Sequence, residues 1–378
     1  MTKKNFIYLI GFLLAITFIV TSFNVVHFFD GKASYQYSDW LINYQAGFIR
    51  RGLIGEFFFK ISSFTKIRLD FLLLFFVITL YIIFYYNFFK IIREIKLKLV
   101  DLFIILSPIS FFYTAFEQKA SGRKDIIFLA LLSLFIIIIK KLSPIKQIYV
   151  MILFTTITSL THSGLIFYNI YFLVLFLCFN HNLDIKKNIL LSSLFITSSL
   201  FILILISYNS TLSNADLNVL CESILQYLPN CGKSDYINTL TWGLDKNLAG
   251  NKLLWFDLRY FIFYFFAFIF CFGFLFYSSA KSNIYNINFL YILIICFILT
   301  LPLYYIGADY GRYLHVSYIS SILIYYFLLN QGIIIRNNLS QKISKILLIS
   351  LIFIYSFTWT VPHCCESNPK FNYRKLID

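Results

Sequence analysis

The sequence predicts an all-α protein, a polytopic bundle of about 11 transmembrane helices forming a single integral membrane domain over residues 1–378. Hydrophobic residues make up 60% of the chain and charged residues only 13%, whereas a soluble domain carries about 25% charged residues. Apolar runs of a length that can cross a bilayer recur throughout. Lys and Arg between these runs account for the net charge of +15 without a nucleic-acid partner, because cytoplasmic loops of membrane proteins collect basic residues.

Hydropathy and charge together predict the order and the orientation of the spans. The predicted spans are residues 5–29, 71–92, 99–116, 126–139, 148–161, 164–179, 189–207, 259–277, 287–305, 316–335 and 346–361. Basic residues mark the inner turns, which places the N-terminus in the cytoplasm and the C-terminus outside. The outer segments are then loops at about 30–70, 117–125, 208–258 and 306–315, and a tail over 362–378.

The first outer loop contains the polar run SDWLINYQAGFIRRGLIG. Asp39 could act there as a general base, or bind a metal ion or sugar hydroxyls. Arg50 and Arg51 could bind a diphosphate, because guanidinium groups donate to phosphate oxygens in pairs. Trp40 and Tyr44 could contact a substrate. The alternative is a solvated loop whose rings anchor it at the membrane interface.

The second polar run, EQKASGRKD, places Lys119, Arg123 and Lys124 within six residues. Cations on an outer loop run against the usual charge bias and therefore indicate anion binding. Two alternatives remain open. The run could be a tight helical hairpin whose charges pair with one another, or an inner loop that changes the helix count around it.

The third polar run, GADYGRYLH, spaces Asp309, Arg312 and His315 by three residues, which puts them on one face if the run is helical. Asp309 could orient either of the other two, and His315 could exchange protons near neutral pH. The alternative is an Asp–Arg pair that holds a helix end. His162, between two predicted spans, could carry protons, contact a sugar or be structural.

Cysteine spacing predicts one disulfide and no metal site. Cys221 and Cys231 lie ten positions apart in the largest outer loop, where an oxidising compartment would favour a bond between them. The sequence has no zinc-type Cys/His spacing, no P-loop, no GxGxxG and no GxSxG. It therefore predicts neither a metal nor a cofactor.

Three outer loops thus carry acids, arginines and a histidine, while the spans are mostly apolar through their middles. A transporter is expected to place such groups near the membrane midplane, and a channel is expected to have rings of like charge or a polar pore face. The pattern favours an enzyme that acts on a membrane-anchored substrate with an anionic head group.

The runs GFIRRGLIG, SGRKD and DYGRYLH, with the multi-pass architecture and one large outer loop, resemble bacterial O-antigen polymerases. The resemblance implies a protein of the bacterial inner membrane. Such an enzyme transfers a growing glycan from one undecaprenyl-diphosphate carrier to a repeat unit on another, at the periplasmic face, for lipopolysaccharide or another surface polysaccharide. Besides the lipid-linked oligosaccharide and membrane lipid, a chain-length regulator protein is an expected partner.

In this interpretation Asp39, His315 and Asp309 are the catalytic candidates, and the arginines, the lysines, the rings and His162 bind the substrate. Glycosyltransferases of the GT-C class are similar in helix number and carry an acidic residue in the first outer loop, where Asp39 stands. They use a lipid-phosphate sugar donor, and in that case Asp39 activates an acceptor hydroxyl. A flippase or exporter of lipid-linked glycans is a further alternative, disfavoured because the arginines are confined to the outer rim.

Overall fold

The computed structural model describes residues 3–30, 35–232, 236–243, 245–246, 248–249, 258–284, 287–337, 345–364 and 372–373. Most of the tail predicted to lie outside, residues 362–378, falls beyond these ranges, as does Lys342 of the last predicted inner turn. The α-helices are α1 (Lys3–Asp30), α2 (Tyr35–Leu41), α3 (Leu53–Thr65), α4 (Leu69–Ile92), α5 (Leu99–Ile105), α6 (Phe111–Phe116), α7 (Gln118–Ser121), α8 (Asp125–Ile138), α9 (Pro144–Thr161), α10 (Asn169–Phe179), α11 (Ile185–Tyr208), α12 (Asn214–Ile224), α13 (Leu258–Ala280), α14 (Phe289–Ile306), α15 (Tyr310–Asn330) and α16 (Lys345–Phe357).

Within the described residues, five helices are long and apolar enough to cross a membrane. They cover Phe6–Phe29, Leu69–Ile92, Ile185–Tyr208, Leu258–Ala280 and Phe289–Ile306, and each agrees closely with a predicted span. Only 22% to 39% of each apolar window is buried inside the protein. The rest of each helix presents hydrocarbon side chains outwards, as a lipid-facing helix does. The chain is therefore an α-helical membrane protein, and its remaining spans and its orientation stay predictions.

Helix α15 occupies the centre of the bundle. Every residue from Tyr310 to Leu328 is buried, and the helix packs against α4, α8, α10, α13 and α14. A helix that is buried on all sides must satisfy its own polar groups. Ser320 and Ser321 each donate to the carbonyl four residues earlier, over 2.7 Å. The helix begins six residues before the predicted start of its span at residue 316, so Arg312 and His315 lie in a helix rather than in a loop.

The predicted span 99–116 is not one continuous helix but two helices separated by a non-helical segment. Helix α5 ends at Ile105 and α6 begins at Phe111, with Pro108 in the non-helical segment between them. Proline has no N–H, so the carbonyl of Ile104 loses its helical donor. The hydroxyl of Tyr318, on α15, donates to that carbonyl over 2.7 Å. The break is thus stabilised by the central helix.

The structure also has short strands, which the hydropathy pattern does not predict, and they form two small sheets. Ser282–Ile284, Ile287–Asn288 and Ile335–Arg336 (β1 to β3) form an antiparallel sheet in the order β2-β1-β3, and Trp359–Thr360 pairs with Asn372–Tyr373 (β4 and β5). Beside the first sheet, Arg336 Nη1 lies 2.7 Å from the fully buried Asp101. This ion pair ties β3 to the start of α5.

The predicted disulfide is confirmed: Cys221, in α12, is bonded to Cys231. The segment that follows, including a short 3₁₀ helix at Ile237–Thr241, returns towards the first polar loop. The backbone N–H of Tyr236 donates to Ser38 Oγ over 2.9 Å. The disulfide-bearing loop therefore lies against the first polar run, at Ser38.

Candidate functional site

The three predicted polar runs meet at one end of the bundle, and Lys124, in the second run, contacts the first run. Its Nζ lies 3.4 Å from Asp39 Oδ1 and donates to the carbonyls of Arg51, over 3.0 Å, and Thr161, over 3.2 Å. Two of the three donors of this ammonium group are thus used by carbonyls, and the carboxylate lies within ion-pair distance. The Lys124 side chain is completely buried, and this burial lowers its pKa to about 8, although Asp39 acts in the opposite direction. Lys124 therefore links the first loop, the second loop and the end of α9.

Arg51 is held on several sides. Its Nη1 lies 4.0 Å from Asp39 Oδ1 and 3.3 Å from His162 Nε2, and its Nε donates to Ser163 Oγ over 3.3 Å. Its guanidinium lies 4.8 Å from the ring centroid of Tyr236. The backbone at Arg51 has a φ of 73°, a conformation that is unfavourable for a residue with a side chain and that persists only when its surroundings fix it. Burial lowers the pKa of Arg51 to about 10, so it stays charged at neutral pH.

Arg312 brings the third polar run into contact with the same charged side chains. We call this group the cluster; it consists of Asp39, Arg51, Arg123, Lys124, Asp125, His162, Asp309 and Arg312. Its Nε lies 2.7 Å from Asp125 Oδ2, its Nη2 lies 3.0 Å from His162 Nε2, and its Nη1 pairs with Asp309. The guanidinium fork thus contacts three groups from three different elements. Of the two partners considered for Asp309, the structure pairs it with Arg312.

Asp309 remains ionised although its side chain is only 21% exposed. Burial would raise the pKa of this carboxyl group, but the neighbouring cations of Arg312, Arg123 and His363 outweigh it and lower the pKa to about 2. Arg123 is itself buried, and its Nε donates to the carbonyl of Lys119 over 3.3 Å. The cluster therefore holds its charges by mutual compensation.

Two of the predicted anion-binding residues do not join the cluster. Arg50 directs its Nη2 to the carbonyl of Thr239 over 3.4 Å, and its backbone N–H donates to the carbonyl of Asn209 over 3.4 Å. Lys119 is exposed. The adjacent arginines thus have different surroundings: Arg51 lies in the cluster and Arg50 holds the large loop.

The two predicted aromatic contacts lie inside the protein or at its edge. Trp40 is fully buried, and its Nε1 donates to the carbonyl of Gly122 over 2.6 Å, which joins the first loop to the second. Tyr44 packs against Phe48 with ring centroids 5.2 Å apart. Its backbone N–H donates to Glu56 over 2.9 Å. Both rings contribute to holding the first loop in place.

His315 lies deeper than Asp309. Its Nδ1 lies 2.7 Å from the carbonyl of Ile109, so Nδ1 carries the proton and donates it. The imidazole stacks on Tyr113 with centroids 4.7 Å apart. Together with Asp125 and Arg312 it lines a cavity of about 10 Å³, enough for about one water molecule.

Four residues of the arrangement are not among the predicted site residues: Asp125, Ser163, Tyr236 and Glu56. Asp125 could have been found, because it follows Arg123 and Lys124 directly in the second run. Glu56 accepts hydrogen bonds from Tyr44 and Gln45 within the first loop. Ser163 and Tyr236 contact Arg51 from elements far away in sequence, for which a single sequence has no signal.

The cluster as a whole is cationic. Four cations, Arg51, Arg123, Lys124 and Arg312, face three carboxylates, Asp39, Asp125 and Asp309. Among the described residues, no group of His, Cys, Asp and Glu is arranged to hold a metal ion. Such a site is suited to an anion that brings the missing negative charge. No family model, curated protein or solved structure matches this chain.

Proposed function

We propose that the cluster binds the diphosphate of a lipid-linked glycan and that the protein catalyses glycosyl transfer there. The polymerisation of polysaccharide repeat units on an undecaprenyl-diphosphate carrier is the reaction that fits best. One observation supports this above all: Arg51 and Arg312, from segments far apart in sequence, share His162 at one end of a helical membrane protein. An enzyme that acts on a lipid carrier needs both a hydrocarbon-embedded body and a cationic site at the rim of that body.

The proposed chemistry uses preorganised charge. Arg51 and Arg312 are fixed by hydrogen bonds on several sides, so they can stabilise negative charge on the leaving diphosphate without first reorganising. Asp39 lies 4.0 Å from Arg51, so a base that removes the proton from the acceptor hydroxyl would stand beside the phosphate site. His315 is the second candidate for this base, since its Nε2 carries no proton when Nδ1 donates to Ile109.

A single-sugar transferase of the GT-C kind is the second candidate function. It is favoured by the position of Asp39, which lies in the short helix α2 after the first apolar helix and is buried against Lys124 and Arg51. In that reaction Asp39 activates the acceptor hydroxyl and the donor is a sugar on a lipid phosphate. The membrane anchor and the anionic donor are common to both proposals.

The surface glycan of a strain that lacks this protein distinguishes the proposals when it is resolved on a gel. A polymerase predicts a ladder reduced to the core plus one repeat unit, restored by the wild-type gene but not by Arg51→Ala. A single-sugar transferase predicts an intact ladder whose repeat mass lacks one sugar. Loss of all outer glycan with lipid-linked units trapped inside the cell would indicate export and would overturn both.

A further inference from the structure

His162 lies between two guanidinium groups. Its Nε2 is 3.3 Å from Arg51 Nη1 and 3.0 Å from Arg312 Nη2. A guanidinium remains protonated in proteins and can only donate, so Nε2 must accept from both arginines with its lone pair. The imidazole is therefore neutral, and its one proton is on Nδ1.

The surroundings of His162 disfavour the binding of a second proton to its imidazole. The residue is 6% exposed, and its burial, followed by the charges of Arg51 and Arg312, lowers its pKa well below the usual value. Lys124 and Arg123 act in the same direction. Four cations thus face this imidazole, and protonation would remove the acceptor that the two arginines share.

The proton on Nδ1 has no acceptor among the described residues. Leaving such a buried donor without a partner costs free energy, because the donor has lost its hydrogen bonds to water. Gly164 lies directly beside it: a Cβ at this position would come within 3.3 Å of Nδ1 and 3.1 Å of a methyl carbon of Leu303, so a side chain of this chain cannot be the missing acceptor there. An acceptor oxygen from outside the chain is the partner that this donor lacks.

We infer that His162 is a positioning residue that couples Arg51 to Arg312 through an unprotonated Nε2 and offers its Nδ1–H to an oxygen of the bound anion. It is not a proton carrier. The identity of that anion as a diphosphate rests on the proposed function, whereas the protonation state of His162 does not.

Nitrogen NMR of purified protein labelled with [¹⁵N]histidine tests the protonation state directly. The signals that disappear in His162→Gln belong to His162. We expect one protonated nitrogen and one bare nitrogen, with the proton on Nδ1, unchanged between about pH 5 and pH 9. An imidazolium in that range, or a proton on Nε2, overturns the inference and leaves the proposed function intact.

Two isosteric variants test the coupling, with inorganic pyrophosphate as the probe. The amide of Gln reaches the place of Nε2 and can accept from both arginines, whereas the amide of Asn overlies Nδ1 and cannot. His162→Gln keeps the shared acceptor but loses the Nδ1–H, so we expect it to bind pyrophosphate several-fold more weakly than wild type. His162→Asn and His162→Ala lose the shared acceptor, and we expect both to bind at least about tenfold more weakly than His162→Gln.

Equal affinity in all three variants contradicts the coupling. If the wild-type protein itself does not bind pyrophosphate, the diphosphate proposal fails while the NMR result still stands or falls separately. Folding of each variant is checked by the Cys221–Cys231 disulfide and by the yield of monodisperse protein.

Discussion

Lys124 and Asp39 form a buried ion pair, with Nζ 3.4 Å from Oδ1 and both side chains at most 4% exposed. The pair lies at the point where the first loop, the second loop and the end of α9 meet. Removing one partner of a buried pair leaves the other charge without compensation in a medium of low polarity. The pair therefore determines whether the site is assembled at all.

Lys124→Met should strongly destabilise the protein, by about 3–5 kcal/mol, because it leaves Asp39 buried without its nearest cation. The double variant Lys124→Met/Asp39→Asn should recover part of this loss. Thermal unfolding of purified protein in detergent measures both, and Lys119→Ala, on an exposed side chain, is the matched control. A Lys124→Met protein as stable as the control would show that the pair does not hold the loops together.

The adjacent arginines should respond differently to substitution. Arg51→Ala removes a guanidinium from the cluster and should abolish the polymer, whereas Arg50→Ala, whose side chain holds the large loop at Thr239, should reduce its amount. Arg51→Lys should be only partly active, since an ammonium lacks the planar fork. The glycan ladder of complemented strains is the measurement, with membrane levels of each variant as the control. A normal ladder from Arg51→Ala would remove this residue from the proposed site.

Gly55 is required for close contact between two backbones. A Cβ at this position would overlap the carbonyl of Ile42 and come within 2.9 Å of the carbonyl of Trp40. Gly55→Ala should therefore cost roughly 1–3 kcal/mol, because backbone atoms cannot swing aside as a side chain can. Gly273→Ala, where nothing lies within 4 Å of the added atom, should be neutral. Equal unfolding temperatures for the two variants would contradict this packing.

Acid should weaken the ion pair between Asp309 and Arg312. Its pKa is lowered to about 2 in the folded protein, from an ordinary value near 3.9. Its contribution of about 2 kcal/mol is therefore present above about pH 4 and is lost as the pH falls towards 2. Unfolding temperatures of wild type and Asp309→Asn should differ at pH 6 and converge near pH 2. The exposed Asp245→Asn should parallel wild type, and a constant gap between wild type and Asp309→Asn would refute the linkage.

The sequence is informative where a structural requirement is local. Bilayer thickness sets the length of an apolar run, so the span predicted at residues 71–92 agrees with the helix at Leu69–Ile92 to within two residues. Hydropathy puts the start of α15 too late because Arg312 and His315 are polar residues, and only their partners Asp125 and Ile109 explain their burial. Charge identifies the three polar runs, but their meeting through Lys124 and Arg312 depends on tertiary contacts that no local pattern contains.

The charge rule predicts that the cluster lies on the outer side of the membrane, and cysteine labelling tests this orientation. In cells whose native Cys364 and Cys365 are replaced by Ser, an impermeant maleimide should label Lys119→Cys, beside the cluster, without lysis. Lys187→Cys, on a predicted inner turn, is also exposed in the structure but should react only after lysis. Both lysines are surface residues, so accessibility differs between them only through the membrane. The reverse pattern would place the cluster in the cytoplasm and exclude a periplasmic polymerase, because its lipid-linked substrate would then face the wrong side.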